Sequence, residues 1–315
     1  MAKTESTRVA FLQGLIDVMR ENPKAVVVFA DSVKVFRATE EFTTEFKGRV
    51  FDVGIAEQNA VDVAAGMASC GLMPFVATYA GFITMRACEQ VRTFVAYPGL
   101  NVKFVGANGG IFGGEREGVT HQFFEDLGIL RSIPGITIVV PADAQGVRQA
   151  TRAVARLKGP AYIRVGSGRD PVVFDSEQAF EIGKIRVLRD GGSDVALFAN
   201  GPLLGRCLEA ADLLQNDRIQ ATVAEVHTLR PLDSAGILKI MKKTRAAVTV
   251  EDHNVNGALG SAVAEVIAEN GCGRLARIGL QDVFPESGEG FALLDHYKMG
   301  VKDIVAAAKQ VVATK

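Results

Sequence analysis

Short apolar runs alternate with longer stretches of helical periodicity along the first half of the chain. The mostly apolar runs lie at residues 25–30, 50–53, 73–77, 102–107, 135–140 and 161–165. Helical patterns lie at residues 7–21, 57–70, 82–96 and 144–157. Apolar strands separated by helices are typical of a parallel sheet that is covered on both faces. The pattern therefore predicts an open, doubly wound α/β layer.

A second α/β unit follows a loop-like segment of glycine, proline and polar residues. Its predicted strands lie at residues 194–199, 221–226, 246–250 and 275–279, and its predicted helices at 205–215, 234–244, 256–270 and 301–312. We predict a first domain at residues 1–170, a linker at 171–191 and a smaller second domain at 192–315.

Composition narrows the class of protein further. The chain of 315 residues is 48% hydrophobic and 23% charged, which is an ordinary globular balance. The net charge of −1 gives no electrostatic reason to expect nucleic acid or an anionic membrane as a partner. The four cysteines are widely spaced, which is typical of free thiols in a reducing compartment. We therefore expect a cytoplasmic protein.

An acidic residue stands where open α/β sheets bind ligands. Glu57, within VFDVGIAEQNAVDVAAGMA (residues 50–68), begins an alanine-rich helix directly after a strand. The crevice at the carboxyl ends of parallel strands is the usual ligand site in such sheets. An acid at a helix N-terminus is also favoured by the helix dipole, so position alone leaves a purely structural role open.

Two further segments contain candidate site residues. TYAGFITMRACEQVR, which starts at Thr78, places Tyr79 and Phe82 three residues apart. GEREGVTHQFFEDLG, which starts at Gly114, contains Glu117 and His121. Taken singly, the aromatic pair is explained by the core and the histidine by a structural role.

In this order, the three segments resemble the C-terminal portion of transketolases. They resemble more closely the smaller subunit of a split transketolase, in which the enzyme is divided between two chains. The resemblance covers nearly the whole chain, including NGPLLGRCLEAADLL and VEDHNVNGALGSAVAEVIAENG in the second half. It implies a pyrimidine-binding-type domain followed by a transketolase C-terminal domain. It also implies transfer of a two-carbon ketol unit from a ketose or ketose phosphate to an aldose or aldose phosphate.

The resemblance assigns a role to each candidate. Glu57 would activate thiamine diphosphate by a hydrogen bond to N1′ of its aminopyrimidine, and burial would favour the protonated carboxyl that this bond needs. Phe82 would stack on the pyrimidine, with Tyr79 as its neighbour. His121 would face the sugar as a catalytic and substrate-binding residue. Glu117 would contact a sugar hydroxyl, although many transketolases have Asp there.

The residues that would bind the phosphate end of a substrate match the family pattern less closely. Arg8, in STRVA, matches the family's substrate arginine, and Arg164 and Arg169 lie near its second phosphate arginine without aligning cleanly. Surface arginines are the alternative for all three. A family histidine that grips phosphate falls near Asn108–Gly109, where this chain has none. We predict that the glycine-rich segment 106–118 is a mobile loop near the reacting groups.

The chain lacks the GDG motif through which the family binds metal and diphosphate. The resemblance therefore implies no metal ligand in this chain. It places the Mg²⁺ ligands and the diphosphate site on a partner, the N-terminal transketolase subunit, in a heterotetramer. His253, in the second half, would be structural.

Three alternatives remain at this point. The chain could be the β subunit of a 2-oxoacid dehydrogenase, although the segments around Phe82 and His121 are unlike that family. It could be part of an enzyme that resembles deoxyxylulose-phosphate synthase, which is normally one long chain. A non-catalytic relative is the third alternative, and the intact candidate residues argue against it.

Overall fold

The computed structural model describes residues 3–114 and 116–315. Within these residues the strands are β1 (Thr4–Glu5), β2 (Ala25–Phe29), β3 (Val50–Asp52), β4 (Met73–Tyr79), β5 (Lys103–Ala107), β6 (Thr137–Val139), β7 (Ala161–Arg164), β8 (Asp170–Pro171), β9 (Arg186–Arg189), β10 (Val195–Ala199), β11 (Ala221–Glu225), β12 (Thr228–Arg230), β13 (Ala246–Asn254) and β14 (Arg274–Leu280).

The helices alternate with these strands. The α-helices are α1 (Thr7–Glu21), α2 (Glu40–Glu45), α3 (Glu57–Ser69), α4 (Cys88–Gln90), α5 (Gly110–Gly113), α6 (Asp126–Ser132), α7 (Ala144–Ala155), α8 (Leu204–Asn216), α9 (Ser234–Thr244), α10 (Leu259–Asn270), α11 (Gly290–His296) and α12 (Val301–Ala313). Two π-helical turns lie at Phe82–Arg86 and Val91–Ala96, and a 3₁₀ turn at Gly201–Leu203. No helix among the described residues has both the length and the apolar character needed to cross a bilayer.

The first half forms a seven-stranded sheet in the order β12-β6-β7-β5-β4-β2-β3. Its strands are parallel except for β12, which runs antiparallel to β6. This confirms the predicted doubly wound α/β layer. The edge strand β12 was not predicted, because it comes from the second half of the chain and completes the sheet of the first.

Helices cover both faces of this sheet, which explains its fully buried strands. On one face α1 packs on α7, and a Cβ on Gly14 would lie 3.0 Å from the Cβ of Thr151. Ser6 caps α1 by accepting a hydrogen bond from the Val9 amide, and Asp143 caps α7 by accepting one from the Gly146 amide. On the other face, α3 and the π-helical turns share a second apolar cluster with the sheet.

The second half forms a five-stranded sheet in the order β14-β13-β10-β11-β9. The first four strands are parallel, and β9 adds antiparallel to β11. Helices α8 and α12 pack on one face and α9 and α10 on the other, so this half is also an α/β layer. Its predicted helices agree with the structure, except that α10 begins at Leu259, three residues later than expected.

Two local predictions were wrong. The segment 82–96 is not one α-helix: the Ala87 amide donates to the carbonyl of Phe82, five residues back, over 3.1 Å. Such wider turns are frequent at functional sites, and apolar spacing does not distinguish them from α-helix. The glycine-rich segment is also not loop throughout, because its residues 110–113 form the short buried helix α5.

Candidate active site

The loops that follow β3, β4, β5 and β7 meet at one edge of the first sheet. Strands β4 and β5 are parallel neighbours, with Tyr79 paired to Ala107 at their carboxyl ends. Glu57 follows β3, and the turn that begins at Gly166 follows β7. Because carboxyl ends of parallel strands form the ligand crevice of such sheets, these loops define the candidate site.

Glu57 is the first residue of α3, and its side chain is only 2% exposed. The preceding residue provides no side-chain cap, so the helix N-terminus presents its partial positive charge to this carboxylate. Oε2 of Glu57 accepts a hydrogen bond of 2.7 Å from Nη1 of Arg86. The carboxylate is therefore buried but paired, and its position is fixed from two elements.

Arg86 connects the acid to the aromatic residues. Its guanidinium carbon lies 4.1 Å from the centroid of the Phe82 ring, and its side chain is 46% exposed. One planar cationic group thus stacks on Phe82 while it donates to Glu57. A planar heterocycle whose ring nitrogen shares a proton with the carboxyl group could occupy the same position, so this pair of residues fits an aminopyrimidine ring.

Four aromatic rings form a cluster beside this pair. The Tyr79 ring lies 5.6 Å from Phe82 and 5.0 Å from His121, and Phe82 lies 5.5 Å from His121, all in edge-to-face contact. Phe123 packs edge-on against Phe82 at 5.2 Å. The structure therefore brings together three predicted site residues, Tyr79, Phe82 and His121.

Gly81 allows this cluster to pack closely. A Cβ at this position would lie 1.9 Å from Cδ1 of Phe123, which no side chain could occupy without displacing the ring. The glycine of the Tyr79–Phe82 segment is thus required by the ring of Phe123, a residue that the sequence analysis did not select.

His121 and Tyr79 differ in their polar surroundings. Nδ1 of His121 lies 3.0 Å from the hydroxyl oxygen of the exposed Thr120. Tyr79 is half-buried, and burial raises the pKa of its phenol, with the Arg8 charge opposing and the Glu117 charge adding to the shift. The two rings consequently present polar atoms at the border between the core and the crevice.

Arg8 reaches the site from the start of α1. Its Nε donates to the carbonyl of Gly166 over 3.0 Å, and its Nη2 donates to Oδ1 of Asn108. Burial lowers the pKa of Arg8, while the nearby charges of Tyr79, Asp170 and Glu117 oppose that shift. Arg8 is therefore held at the edge of the site within electrostatic range of two predicted site residues.

Asn108 is an unpredicted member of the site. It is fully buried, has a φ of +59°, and its Nδ2 has no hydrogen-bond partner. A left-handed backbone is uncommon outside glycine, and asparagine tolerates it best. The sequence offered one signal, because Asn108 falls where the family has a phosphate-binding histidine.

The remaining predicted substrate residues lie at the rim. Glu117 is exposed and lies four positions before His121 on the same loop. Arg169 is also exposed, and it lies on the turn that carries Gly166, the carbonyl partner of Arg8. Both residues thus lie on loops that border the crevice.

The guanidinium of Arg164 makes hydrogen bonds to buried groups of the protein itself. Its Nε and Nη2 donate to Asp126 over 3.0 and 2.8 Å, its Nη1 donates to the carbonyl of Asp252, and its Nη2 also donates to the carbonyl of Phe123. The pKa of Arg164 is raised: burial alone would lower it, but the charges of Asp126, Asp252 and Tyr162 and the hydrogen bonding to Asp126 together outweigh the burial. A phosphate role for Arg164 is therefore not supported by its geometry.

His253 belongs to the same buried region. It is 1% exposed, its Nε2 accepts a hydrogen bond of 3.3 Å from the Gly128 amide, and burial lowers its pKa to about 4. A histidine in this state is neutral at physiological pH and joins the two halves of the chain. Within residues 3–114 and 116–315, no group of three or more His, Cys, Asp or Glu side chains could hold a metal ion.

Comparisons with known proteins place this geometry in a family. Residues 3–168 match the family model of the transketolase pyrimidine-binding domain, and residues 183–304 match that of the transketolase C-terminal domain. The chain belongs to the transketolase family. The resemblance that the three sequence motifs indicated is thereby confirmed.

Several transketolase relatives match the chain over nearly their full lengths. A 6-deoxy-6-sulfo-D-fructose transketolase subunit from Clostridium sp. is 39% identical over 98% of this chain and 95% of its own. One of the apulose-4-phosphate transketolase subunits, from Actinobacillus succinogenes, is 34% identical over 98% of this chain and 99% of its own. These matches do not favour the dehydrogenase, synthase-like or non-catalytic alternatives.

A solved structure is similar to the whole fold. It is described as a split gene transketolase, inactive β4 tetramer, and it superimposes with a TM-score of 0.88 at 37% identity. The match covers 98% of this chain and 99% of that one. The order of a pyrimidine-binding domain before a C-terminal domain is thus shared with a split transketolase.

Proposed function

We propose that this chain is the smaller of two subunits of a thiamine-diphosphate-dependent transketolase. The complete enzyme transfers a two-carbon ketol unit from a ketose to an aldose. The observation that carries the proposal is the pair of contacts made by Arg86, to the buried carboxylate of Glu57 and to the ring of Phe82. They support the proposal because a flat, hydrogen-bonding ring could take the place of the guanidinium between the acid and the aromatic side chain.

In this proposal, Glu57 holds and exchanges a proton with N1′ of the aminopyrimidine, and Phe82 orients the ring by stacking, with Tyr79 beside it. Thiamine diphosphate, when bound, supplies the carbon nucleophile and the electron sink for ketol transfer. The Arg86 guanidinium leaves its present position when the ring binds. Its side chain is 46% exposed, so water can solvate the displaced charge.

The sugar is assigned to the other side of the aromatic cluster. His121 faces the reacting carbons, where its imidazole can donate to hydroxyl groups or transfer protons. Glu117 accepts a hydrogen bond from a sugar hydroxyl. Arg8 and Arg169 supply positive charge at the rim for an anionic end group, whether phosphate or another anion.

The second half of the active site is assigned to a partner chain. We propose that the N-terminal transketolase subunit holds Mg²⁺ and the diphosphate, and that the two chains form a heterotetramer in the cytoplasm. The solved relative described as an inactive tetramer of β chains supports the need for a second kind of subunit. The side chain of Ile55, two residues before Glu57, is 74% exposed, which supports a partner surface at this edge of the crevice.

The test replaces Glu57 with glutamine in the complex with the partner subunit. Glutamine still accepts a hydrogen bond from Arg86, so the fold should persist, but it cannot exchange the proton. We expect the rate of two-carbon transfer to fall by about a hundredfold or more, as general acid–base groups contribute. Glu209→Gln, an exposed change on α8, is the matched control and should leave the rate unchanged.

Two measurements separate the possible causes of a lost rate. Native mass spectrometry of the variant complex reports whether the subunits still assemble, and calorimetric titration reports thiamine diphosphate affinity. Assembly with a lost rate supports the assigned role of Glu57. A near-normal rate in the assembled Glu57→Gln complex overturns it.

A further inference from the structure

A carboxylate from the second sheet reaches into the active-site loop of the first. Asp252, on β13, is 1% exposed, and its Oδ1 and Oδ2 accept hydrogen bonds from the amides of Ile111 and Phe112 over 2.9 and 3.1 Å. These amides belong to the first turn of α5, where the backbone has no partner within the helix. Asp252 therefore satisfies two buried donors of a loop in the other half of the chain.

The loop approaches this carboxylate without room for a side chain. Gly110 has a φ of +85°, and a Cβ there would lie 2.0 Å from Oδ2 of Asp252. The Gly110 amide also donates to the carbonyl of Phe123 over 2.7 Å, which closes residues 110–123 into one loop. Within this closed loop lie two of the predicted substrate residues, Glu117 and His121.

The second half also holds the far end of the loop. Nε2 of Gln122, next to His121, donates to the carbonyl of Glu286 over 3.0 Å. The main-chain carbonyl of Asp252 accepts from Arg164, which in turn donates to the carbonyl of Phe123. Both ends of the loop are thus attached to the second half by buried or partly buried hydrogen bonds.

We propose that Asp252 is a positioning residue, which fixes the loop of residues 110–123 and through it the placement of Glu117 and His121. The C-terminal domain then takes part in substrate binding without touching the substrate. The placement of the loop follows from the contacts alone, whereas its effect on kinetics rests on the proposed function.

The chain contains a matched control for this carboxylate. Glu251, the preceding residue on β13, is also 1% exposed, and its two oxygens accept from the amides of Leu259 and Gly260 over 2.8 and 2.7 Å. It caps α10 within its own half. Asp252→Asn and Glu251→Gln therefore perturb the same chemistry at the same depth, but only the first contacts the loop.

Hydrogen exchange of the full chain tests the placement directly. We expect Asp252→Asn to accelerate amide exchange in residues 108–122, while Glu251→Gln accelerates exchange at the start of α10 and leaves that segment unchanged. Equal exchange of residues 108–122 in the two variants would overturn the proposal. Gly110→Ala disturbs the contact between the loop and Asp252 from the loop side, and it should accelerate exchange in the same segment as Asp252→Asn does.

Kinetics of the assembled two-chain enzyme provide the second readout. For Asp252→Asn we expect kcat/KM for the sugar to fall about tenfold to a hundredfold, with thiamine diphosphate affinity within about twofold of normal. A general loss of structure would weaken both, and that result would count against positioning. If the wild-type assembly transfers no ketol unit, the proposed function fails, and the exchange result still decides the placement.

Discussion

Replacing Arg164 with methionine removes the cation from a buried ion pair. The Arg164 and Asp126 side chains are 4% and 0% exposed, and two hydrogen bonds of 2.8 and 3.0 Å join them. Without the guanidinium, the hydroxyl of Tyr162 at 2.7 Å is the one side-chain donor that the Asp126 carboxylate keeps among residues 3–114 and 116–315. Because an uncompensated buried charge is costly, we expect the free energy of unfolding to fall by about 3–5 kcal/mol.

The assay is urea unfolding of the full chain, followed by circular dichroism. Arg20→Met is the control, because Arg20 pairs with Glu45 on the surface, with side chains 59% and 42% exposed. Such exposed pairs contribute about 0–1 kcal/mol. The double variant Arg164→Met/Asp126→Asn removes both charges and should recover at least about 1 kcal/mol of the loss, as neighbouring sites are not additive.

An Arg164→Met chain that unfolds within about 1 kcal/mol of the Arg20→Met chain would refute this reasoning. Arg164 would then not be a structural cation, and its role as a substrate ligand, which the sequence left open, would need a kinetic test. The same conclusion would follow if the double variant were no more stable than Arg164→Met alone.

Two further predictions concern buried positions. Burial lowers the pKa of Lys103 to about 7, so between pH 7.5 and 9 the unfolded chain binds a proton that the folded chain lacks. The free energy of unfolding should therefore rise with pH by up to about 1.4 kcal/mol per pH unit. Lys103→Met should flatten this slope in urea unfolding, and an unchanged slope would contradict the prediction. Gly81→Ala should lower the free energy of unfolding by about 1–3 kcal/mol because its Cβ would overlap the Phe123 ring. A Cβ on Gly66 of α3 would meet no atom within 4 Å beyond its chain neighbours and nearby helix backbone, so Gly66→Ala should be neutral or stabilising. Equal thermal midpoints of the two variants would refute the packing argument.

The periodic apolar pattern was sufficient for the parallel strands and most of the long helices. Burial on both faces leaves a continuous apolar run, and a covering helix leaves its own period, so both are local signals. Strand β12 left no such signal, because three residues pair with a sheet of the other half. The π-helical turns after Phe82 were missed for a related reason, since their apolar spacing is close to that of an α-helix.

The candidate site also contains residues that the sequence selected and one that only the structure reveals. Glu57, Tyr79, Phe82 and His121 were selected because they lie in motifs, and the structure brings the last three into one aromatic cluster. Their roles in catalysis stay predictions. Arg86 was not selected, because its contacts with Glu57 and Phe82 exist only once two separate segments are packed together.

Local periodicity and the order of the motifs were enough to predict the α/β class and the family, and to select candidate residues for the crevice. Which polar groups are already paired became visible only in the folded chain. There, Arg164 donates to the buried carboxylate of Asp126, and Asp252 accepts a hydrogen bond from the Ile111 amide in the other half of the chain. A hydrogen bond between residues more than a hundred positions apart, such as that from Ile111 to Asp252, has no local pattern, so no periodicity in the chain could have revealed it.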